Sequence, residues 1–420
     1  KRRLPINSRR MKKQKKTITP KESNTAYSDI DTAAEVAVYY GFTPQKTPTI
    51  KKDDMAQAKH IESADEKKAL PLGWDTLSLE GQSALIREYV DNNWHNLPQP
   101  LTHYHKGPFA IDGKPAKKES REMECYLEII GTHKSIAEAI IIETAIAILK
   151  EEGYDDLHLE INSIGDRESF SRFTKELTAY YRKHINDLPA ACRQAMKSSV
   201  FSLLSCSEHE TCKKLAVDAP QSISFLSEAS RHHFQEILEY LETLDIPYTI
   251  QNLLVGNPSF SSGPVFEIRN DGCARGKGVA PLAVGCRYDG LAKKLGAKKE
   301  ILGACAVLHF KKPTGEKANH KVKKPEVYFI QLGFEAKLKS LKVIEVLRQA
   351  KIPVHQALCR DRMATQIAIA EKSKVPFLLI MGLKEAMENA VIVRDMTDRS
   401  QNTIKIEDVP AYLKKLKAQK

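Results

Sequence analysis

Several clusters in this chain bring together side chains that could do chemistry. The stretch "FAIDGKPAKKESREMECYLEIIGT", Phe109 to Thr132, gathers Lys114, Lys117, Lys118 and Arg121 in one polar loop between two predicted strands. Cations at that density suit phosphate contacts, which position a nucleic acid without reading its sequence. "GCRYDGL" sets Arg287, Tyr288 and Asp289 on a glycine-bounded turn leading into a helix. "CRDRMATQIAIAEKSK" puts Arg360, Arg362 and Gln366 at a helix entrance, where backbone N–H groups and guanidiniums suit a phosphate or a base. Glu80, in "SLEGQSALIREYV", could grip an amino group.

Metal chemistry is weaker on the page. "CSEHETC" carries Cys206, His209 and Cys212, which is part of a tetrahedral zinc set, but no second pair completes four ligands. His103 and His105 in "LTHYHKG" alternate along a strand and are expected to face solvent or to be satisfied in the core. No metal is expected at either place. Eight cysteines without a framework fit a reducing, cytoplasmic setting.

These residues need elements to hold them. "SIAEAIIIETAIAILKEEGYDD" reads as a buried amphipathic helix that carries Glu138 and Glu143. "DLHLEINSIG" alternates as a strand. "DRESFSRFTKELTAYYRKHI" and "SEASRHHFQEILEYLETLD" are helical, and "IPYTIQNLLVGNPSFSSGPVFEI" returns to β. "KKDDMAQAKHIESADEKKALPLGW" is loop or short helix. The first domain is therefore α+β with a mostly antiparallel sheet. Beyond "HFKKPTGEKANHKVKKPE" the apolar strand "VYFIQLG" opens an alternation of strands and helices, a small α/β domain with a parallel core. The predicted boundaries are a basic head at 1–24, a core at 25–310 with a helical insertion at about 166–245, a linker at 311–325, and a last domain at 326–420.

Charge points to the partner. The formal net charge is +12, and "KRRLPINSRRMKKQKK" holds no acid. Such a segment is attracted to polyphosphate, so nucleic acid is the favoured partner. No apolar run approaches the roughly 18–20 residues of a membrane span, and no apolar segment follows the basic start as a secretory signal requires.

The order of segments resembles a histidyl-tRNA synthetase from about residue 28 to 417. "VAVYYGFTPQKTPTI" looks like the family's first class II motif, at the dimer interface. "LSLEGQSALIREYV" stands where the family has an Arg-Pro-Glu-Gly-Thr segment that contacts the amino acid. The Phe109–Thr132 hairpin resembles the second motif, "GCRYDGL" a Gly-Gly-Arg-Tyr-Asp-Gly-Leu signature, and the last domain the anticodon-binding domain of this group. The resemblance implies a class II synthetase-like antiparallel domain, an anticodon-binding-like α/β domain, a homodimer, and tRNA or a tRNA-like structured RNA as partner.

The departures concern catalysis. The second motif's arginine, which meets the α-phosphate, corresponds to Ala110. The third motif's arginine corresponds to Phe310 in "GACAVLHF". Counting back from "VFE", Gly256 (or Val255, if a gap is placed) stands for the arginine of the histidine-specific segment, with Phe260 and Ser261 for its paired tyrosines. Ser78 and Gln82 replace an arginine and a threonine beside the surviving Glu80 and Gly81. Each lost charge-assisted contact typically removes about 2–4 kcal/mol of transition-state stabilisation. Glu80, Arg121, Arg287 and Tyr288 would form a remnant pocket, without aminoacylation and without a required cofactor. A working ligase with relocated arginines would instead need ATP and magnesium. A regulatory subunit of a phosphoribosyltransferase-type enzyme is the third reading, and the last domain counts against it.

Overall fold

The computed structural model describes residues 30–114, 122–206, 208–270, 279–311 and 323–418. The predicted head at 1–24, Lys117, Lys118, Arg121 and most of the 311–325 segment lie outside the described residues. The first sheet contains β1 (Thr43–Gln45), β2 (Leu101–Lys106), β3 (Glu122–Ile130), β4 (Leu157–Gly165), β5 (Tyr248–Ile250), β6 (Ser262–Asn270), β7 (Ala283–Arg287) and β8 (Gly303–Lys311). Their spatial order is β1-β2-β3-β8-β7-β6-β4-β5. The six inner strands pair antiparallel, and the short edge strands β1 and β5 run parallel to β2 and β4.

Strand alternation sends neighbouring side chains to opposite layers. Along β3, Cys125, Leu127 and Ile129 enter one core, while Tyr126 enters the other. The first core is built on the helix Ile136–Glu151, buried continuously from Ile136 to Leu149. An amphipathic stripe was expected. A helix apolar all round needs cover on every side, and here β3, β8 and the helices Thr32–Tyr39, Glu228–Thr243 and Phe334–Gln349 supply it.

The opposite face is covered by a different set of elements. Trp74, Leu77, Leu79 and Ile86 pack there with Tyr126, Cys305 and Val307. Beside them lie helices of the segment between β4 and β5, among them Arg167–Lys183, Ala190–Ser198 and Glu210–Val217. Phe173, Leu177 and Tyr181, spaced four apart, form the buried stripe of the first of these.

The hairpin is built differently from the expectation. Its first strand is Leu101–Lys106, ahead of Phe109 rather than beginning there. Pro108 has no N–H to give a ladder, which ends the pairing. Phe109 to Gly113 is instead tied to Ile50, whose N–H donates to the Ala110 carbonyl at 2.8 Å and whose carbonyl accepts from Asp112 N at 2.9 Å. "IPYTIQNLLVGNPSF" likewise yields only the short β5 before an irregular segment.

The second sheet orders β9 (Val327–Gln331), β10 (Val354–Gln356), β11 (Phe377–Met381), β12 (Ala390–Asp395) and β13 (Gln401–Lys405) as β10-β9-β11-β12-β13. β10, β9 and β11 are parallel, and β12 and β13 add antiparallel edges. Its helix Phe334–Gln349 shares the first core with the large sheet. At that junction the buried Tyr40 hydroxyl sits 3.0 Å from Glu143 Oε1 and 2.6 Å from Glu345 Oε2. Burial, and then the Glu345 charge, push the Glu143 carboxyl up to about 7.

Tyr40→Phe removes the group that both carboxylates share. It is expected to cost about 1–3 kcal/mol, the usual penalty for leaving a buried acceptor unmet, read as a lower urea midpoint.

Candidate functional site

Arg287 ends β7 with its side chain almost wholly buried. Its Nε donates to Glu138 Oε1 at 2.7 Å and one terminal nitrogen to Glu138 Oε2 at 3.2 Å. The other terminal nitrogen donates to the Thr132 carbonyl at 2.9 Å and to Asp289 Oδ1 at 3.2 Å. This guanidinium has spent its donors inside the protein. Burial opposes the charge on Glu138, but Arg287 and then His233 overcome it and hold the carboxyl at about 2. The pair ties the end of β7 to the first turn of the central helix.

Tyr288 is fully buried and donates to Glu128 Oε1 at 2.6 Å. Burial pushes Glu128 up to about 7, partly offset by that hydrogen bond. His103 and His105 lie across β2 from it, and His105 Nε2 is 3.9 Å from Glu128 Oε2. Neither imidazole faces solvent as one expectation allowed; burial lowers them to about 4 and about 3, so both are neutral at pH 7. The His103 Nδ1 atom has no partner among the described residues.

The positions matched to family arginines hold other things. Ala110 is exposed, with its carbonyl taken by Ile50. Beside it Phe109 lies so close to Gly81 that a Cβ on Gly81 would meet the ring at 2.8 Å. Gly256 has φ +67°, and a Cβ there would meet Ser261 Oγ at 2.9 Å, Val265 Cγ1 at 3.0 Å and Trp74 Cη2 at 3.1 Å. Trp74 fills that space, fully buried, with Nε1 donating to Glu267 Oε1 at 2.7 Å. Phe310 corrects the correspondence read from sequence. It faces the central helix and meets Tyr154 edge-on, on the far side of the sheet from Tyr126 and Tyr288. The residue beside it, His309, is half-exposed and 3.5 Å from Glu122.

Glu80 sits in the first turn of the helix Leu79–Asp91 and pairs with Lys67 at 2.7 Å. Ser78 caps that helix by accepting the Gly81 N–H at 3.1 Å, so a helix start replaces a substrate contact. Gln82 is fully buried, and its amide atoms have no partner among the described residues.

In the last domain, Arg362 is exposed just before the helix Met363–Ser373, and Arg360 is half-buried. Gln366 is not available to RNA. It is fully buried, donating to the Gln331 carbonyl at 2.8 Å while its oxygen accepts the Gln331 N–H at 3.2 Å. Together with Ala370, one turn on, it forms the inward face of its helix. Gln331 in turn donates to the Leu358 and Arg360 carbonyls at 3.1 Å. Gln366 therefore supports the arginine loop from behind.

Two groupings were not legible as motifs. A cavity of about 900 Å³ lies between the helices Arg167–Lys183 and Ala190–Ser198 and the loop through Gly256. Arg182, Arg193, Lys197 and Lys294 line it against the single carboxylate of Glu66. Phe170 and Phe201 stack in its wall at 5.2 Å, inclined by 15°. Cations with flat apolar surface suit a phosphate attached to a ring. The Arg193–Lys197 spacing of one helical turn was the available signal. The second grouping corrects the expectation that no fourth ligand exists: Cys192, from the helix Ala190–Ser198, joins Cys206, His209 and Cys212.

An antiparallel six-stranded core that carries the Arg-Tyr-Asp turn, followed by a docked α/β domain, is the scaffold of a class II aminoacyl-tRNA synthetase. Residues 326–416 match the family described as "Anticodon binding domain". Curated relatives extend the likeness over most of the chain. The histidine–tRNA ligase of Thermosipho melanesiensis is 28% identical over 386 residues, 88% of this chain and 90% of that one. That of Fervidobacterium nodosum is 27% identical, covering 88% and 89%, and that of Dehalococcoides mccartyi 26%, covering 91% and 94%. Among solved structures, apo S. aureus histidyl-tRNA synthetase aligns with a TM-score of 0.47 at 21% identity, over 91% of this chain and 93% of that one. An ATP phosphoribosyltransferase regulatory subunit/histidyl-tRNA synthetase from Bacillus halodurans C aligns at 0.42 and 16%, over 83% and 92%. Over most of its length the chain is thus similar to histidine–tRNA ligases, and its last domain matches the anticodon-binding family.

Arg287→Met leaves Glu138 buried without its guanidinium and is expected to cost about 3–5 kcal/mol at pH 7. Glu138 titrates near 2 when folded and near its ordinary value of 4.5 when unfolded. The pair's contribution is therefore complete above about 4.5 and fades as pH falls toward about 2. Urea midpoints of wild type and variant should converge over that window.

Proposed function

We propose that this chain is an RNA-binding member of the histidyl-tRNA synthetase family, working as a homodimer without aminoacylation. One observation carries the reading: the sheet face that should receive histidine and ATP is packed by side chains. Trp74, Leu77, Leu79, Phe260 and Tyr288 are each at most 3% exposed in one apolar cluster. Ala110 and Gly256 offer no guanidinium, and Arg287 is committed to Glu138. Arg87 and Arg269 are likewise held, by Asp54 at 3.0 Å and by Glu267 at 2.5 Å.

Surfaces that suit RNA are retained. Lys114 stands exposed where the hairpin leaves β2, Arg362 is exposed at the helix entrance of the anticodon-type domain, and the cavity supplies four more cations. On this reading tRNA or a structured mimic lies between the last domain and the hairpin, with Lys117, Lys118, Arg121 and the basic head adding electrostatic affinity. Among the described residues no helix is long and apolar enough to cross a membrane.

A working ligase that uses ATP and magnesium is the second reading, favoured by the names of the relatives and by Arg121, whose sequence position lies in the hairpin. Histidine-dependent ATP–pyrophosphate exchange separates the two. The expected rate equals the enzyme-free background, and an ordinary turnover would overturn the proposal. Installing arginines by Ala110→Arg/Gly256→Arg should not restore exchange, because Trp74 and the positive φ at Gly256 leave the second one no room.

RNA binding is read by filter titration. Affinity for bulk tRNA should fall steeply between about 50 and 200 mM salt. Arg193→Glu/Lys197→Glu should weaken it and flatten the log–log salt slope by roughly 1.4–1.8 units, about 0.7–0.9 per phosphate contact. No RNA affinity at the low-salt end would remove the RNA role.

A further inference from the structure

The helices between β4 and β5 carry more convergent soft donors than a small helical unit needs for packing. Cys192 lies on Ala190–Ser198, Cys206 follows the short turn Val200–Leu203, His209 immediately precedes Glu210–Val217, and Cys212 is on that helix. The run is C-x13-C-x2-H-x2-C. Cys192 and Cys212 are buried, Cys206 and His209 half-buried. All three sulfurs are free thiols.

The distances among the donors are those of ligands around one centre. A tetrahedral zinc with Zn–S about 2.3 Å and Zn–N about 2.0–2.1 Å requires S···S edges of about 3.8 Å and S···N edges of about 3.5 Å. Cys192 and Cys206 sulfurs are 3.7 Å apart, and Cys212 and Cys192 sulfurs 3.3 Å. His209 Nδ1 is 3.6 Å from the Cys192 sulfur and 3.7 Å from that of Cys206. All four donor atoms lie within 4.8 Å of one another. One disulfide could use only two of them.

We infer that Cys192, Cys206, His209 and Cys212 bind one zinc ion. Three thiolates and an imidazole match zinc among common divalent ions and disfavour magnesium and calcium, which want oxygen. Four protein ligands close the coordination sphere, so the site is structural and holds no activated water. Binding displaces the thiol protons to solvent as the sulfurs become thiolates, with no change in oxidation state.

The location explains the need. The two ligand-bearing helices have nine and eight residues, too short to be stable alone. A metal can replace the core such a unit lacks. Cys192 shares its helix with Arg193 and Lys197, which line the cationic cavity, so the zinc fixes that wall.

The test uses the full chain purified without chelator. Elemental analysis by mass spectrometry should give about one zinc per chain, the stoichiometry of a single closed site. Cys206→Ser and His209→Ala should each lower it at least fivefold, while Cys359→Ala, outside the cluster, leaves it unchanged. Should those variants fail to fold, wild type still decides: thiol blocking by methyl methanethiosulfonate should release the zinc to a colorimetric chelator. Cobalt-loaded wild type should show the visible bands of a tetrahedral thiolate site. The inference is overturned by wild type that holds under a tenth of an equivalent and takes up no cobalt. It is equally overturned by zinc that survives in a folded Cys206→Ser/His209→Ala variant or is not released by thiol blocking.

Discussion

A carboxylate carried into a protein core must be met there, and the central helix carries two. Glu138 and Glu143 sit five residues apart on Ile136–Glu151, about half a turn from facing the same way, so they look toward different parts of the molecule. Glu138 is met by Arg287 from the sheet and by His233 at 2.8 Å from the helix Glu228–Thr243. Glu143 is met by Tyr40, which also binds Glu345 of the last domain. One helix thereby fixes the sheet, the last long helix of the insertion, and the docking of the second domain. Because Arg287 and Tyr40 are buried and His233 and Glu345 half-buried, none of these arrangements can relax into water at small cost.

That requirement gives the Arg-Tyr-Asp turn a structural duty of its own. Arg287, Tyr288 and Asp289 all have internal partners: Glu138, Glu128, and the Gly303 N–H at 2.9 Å to Asp289. The turn is needed for folding whether or not a substrate ever arrives. The residues matched in sequence to the family's arginines carry no such duty. One is now an exposed methyl at Ala110, and another a backbone corner at Gly256 packed against an indole.

Legibility in the sequence followed the range of the signal. The antiparallel sheet, the helices of the insertion and the parallel start of the last domain were visible because period and composition are local properties. The Cys/His cluster was seen only in part, since Cys192 is separated from Cys206 by a stretch that carries no ligand pattern. The cationic cavity was missed for the same reason, its residues being drawn from positions 61 to 294. Gln366 and Phe310 were misread through facing: one helical step or one strand position decides between solvent and core, and only the packed structure sets that register. The start of the hairpin was misplaced because the backbone exchange between Ile50 and the Ala110–Asp112 segment has no mark in side-chain pattern.

The indole at position 74 also couples two positions far apart in the sequence. An arginine arriving first at 256 would collide with it, and a small residue arriving first at 74 would remove one hydrogen bond to Glu267 and hollow the centre of an apolar cluster. Either single change disturbs the fold, so positions 74 and 256 are interlocked: a guanidinium can enter at 256 only if the aromatic ring leaves in the same step.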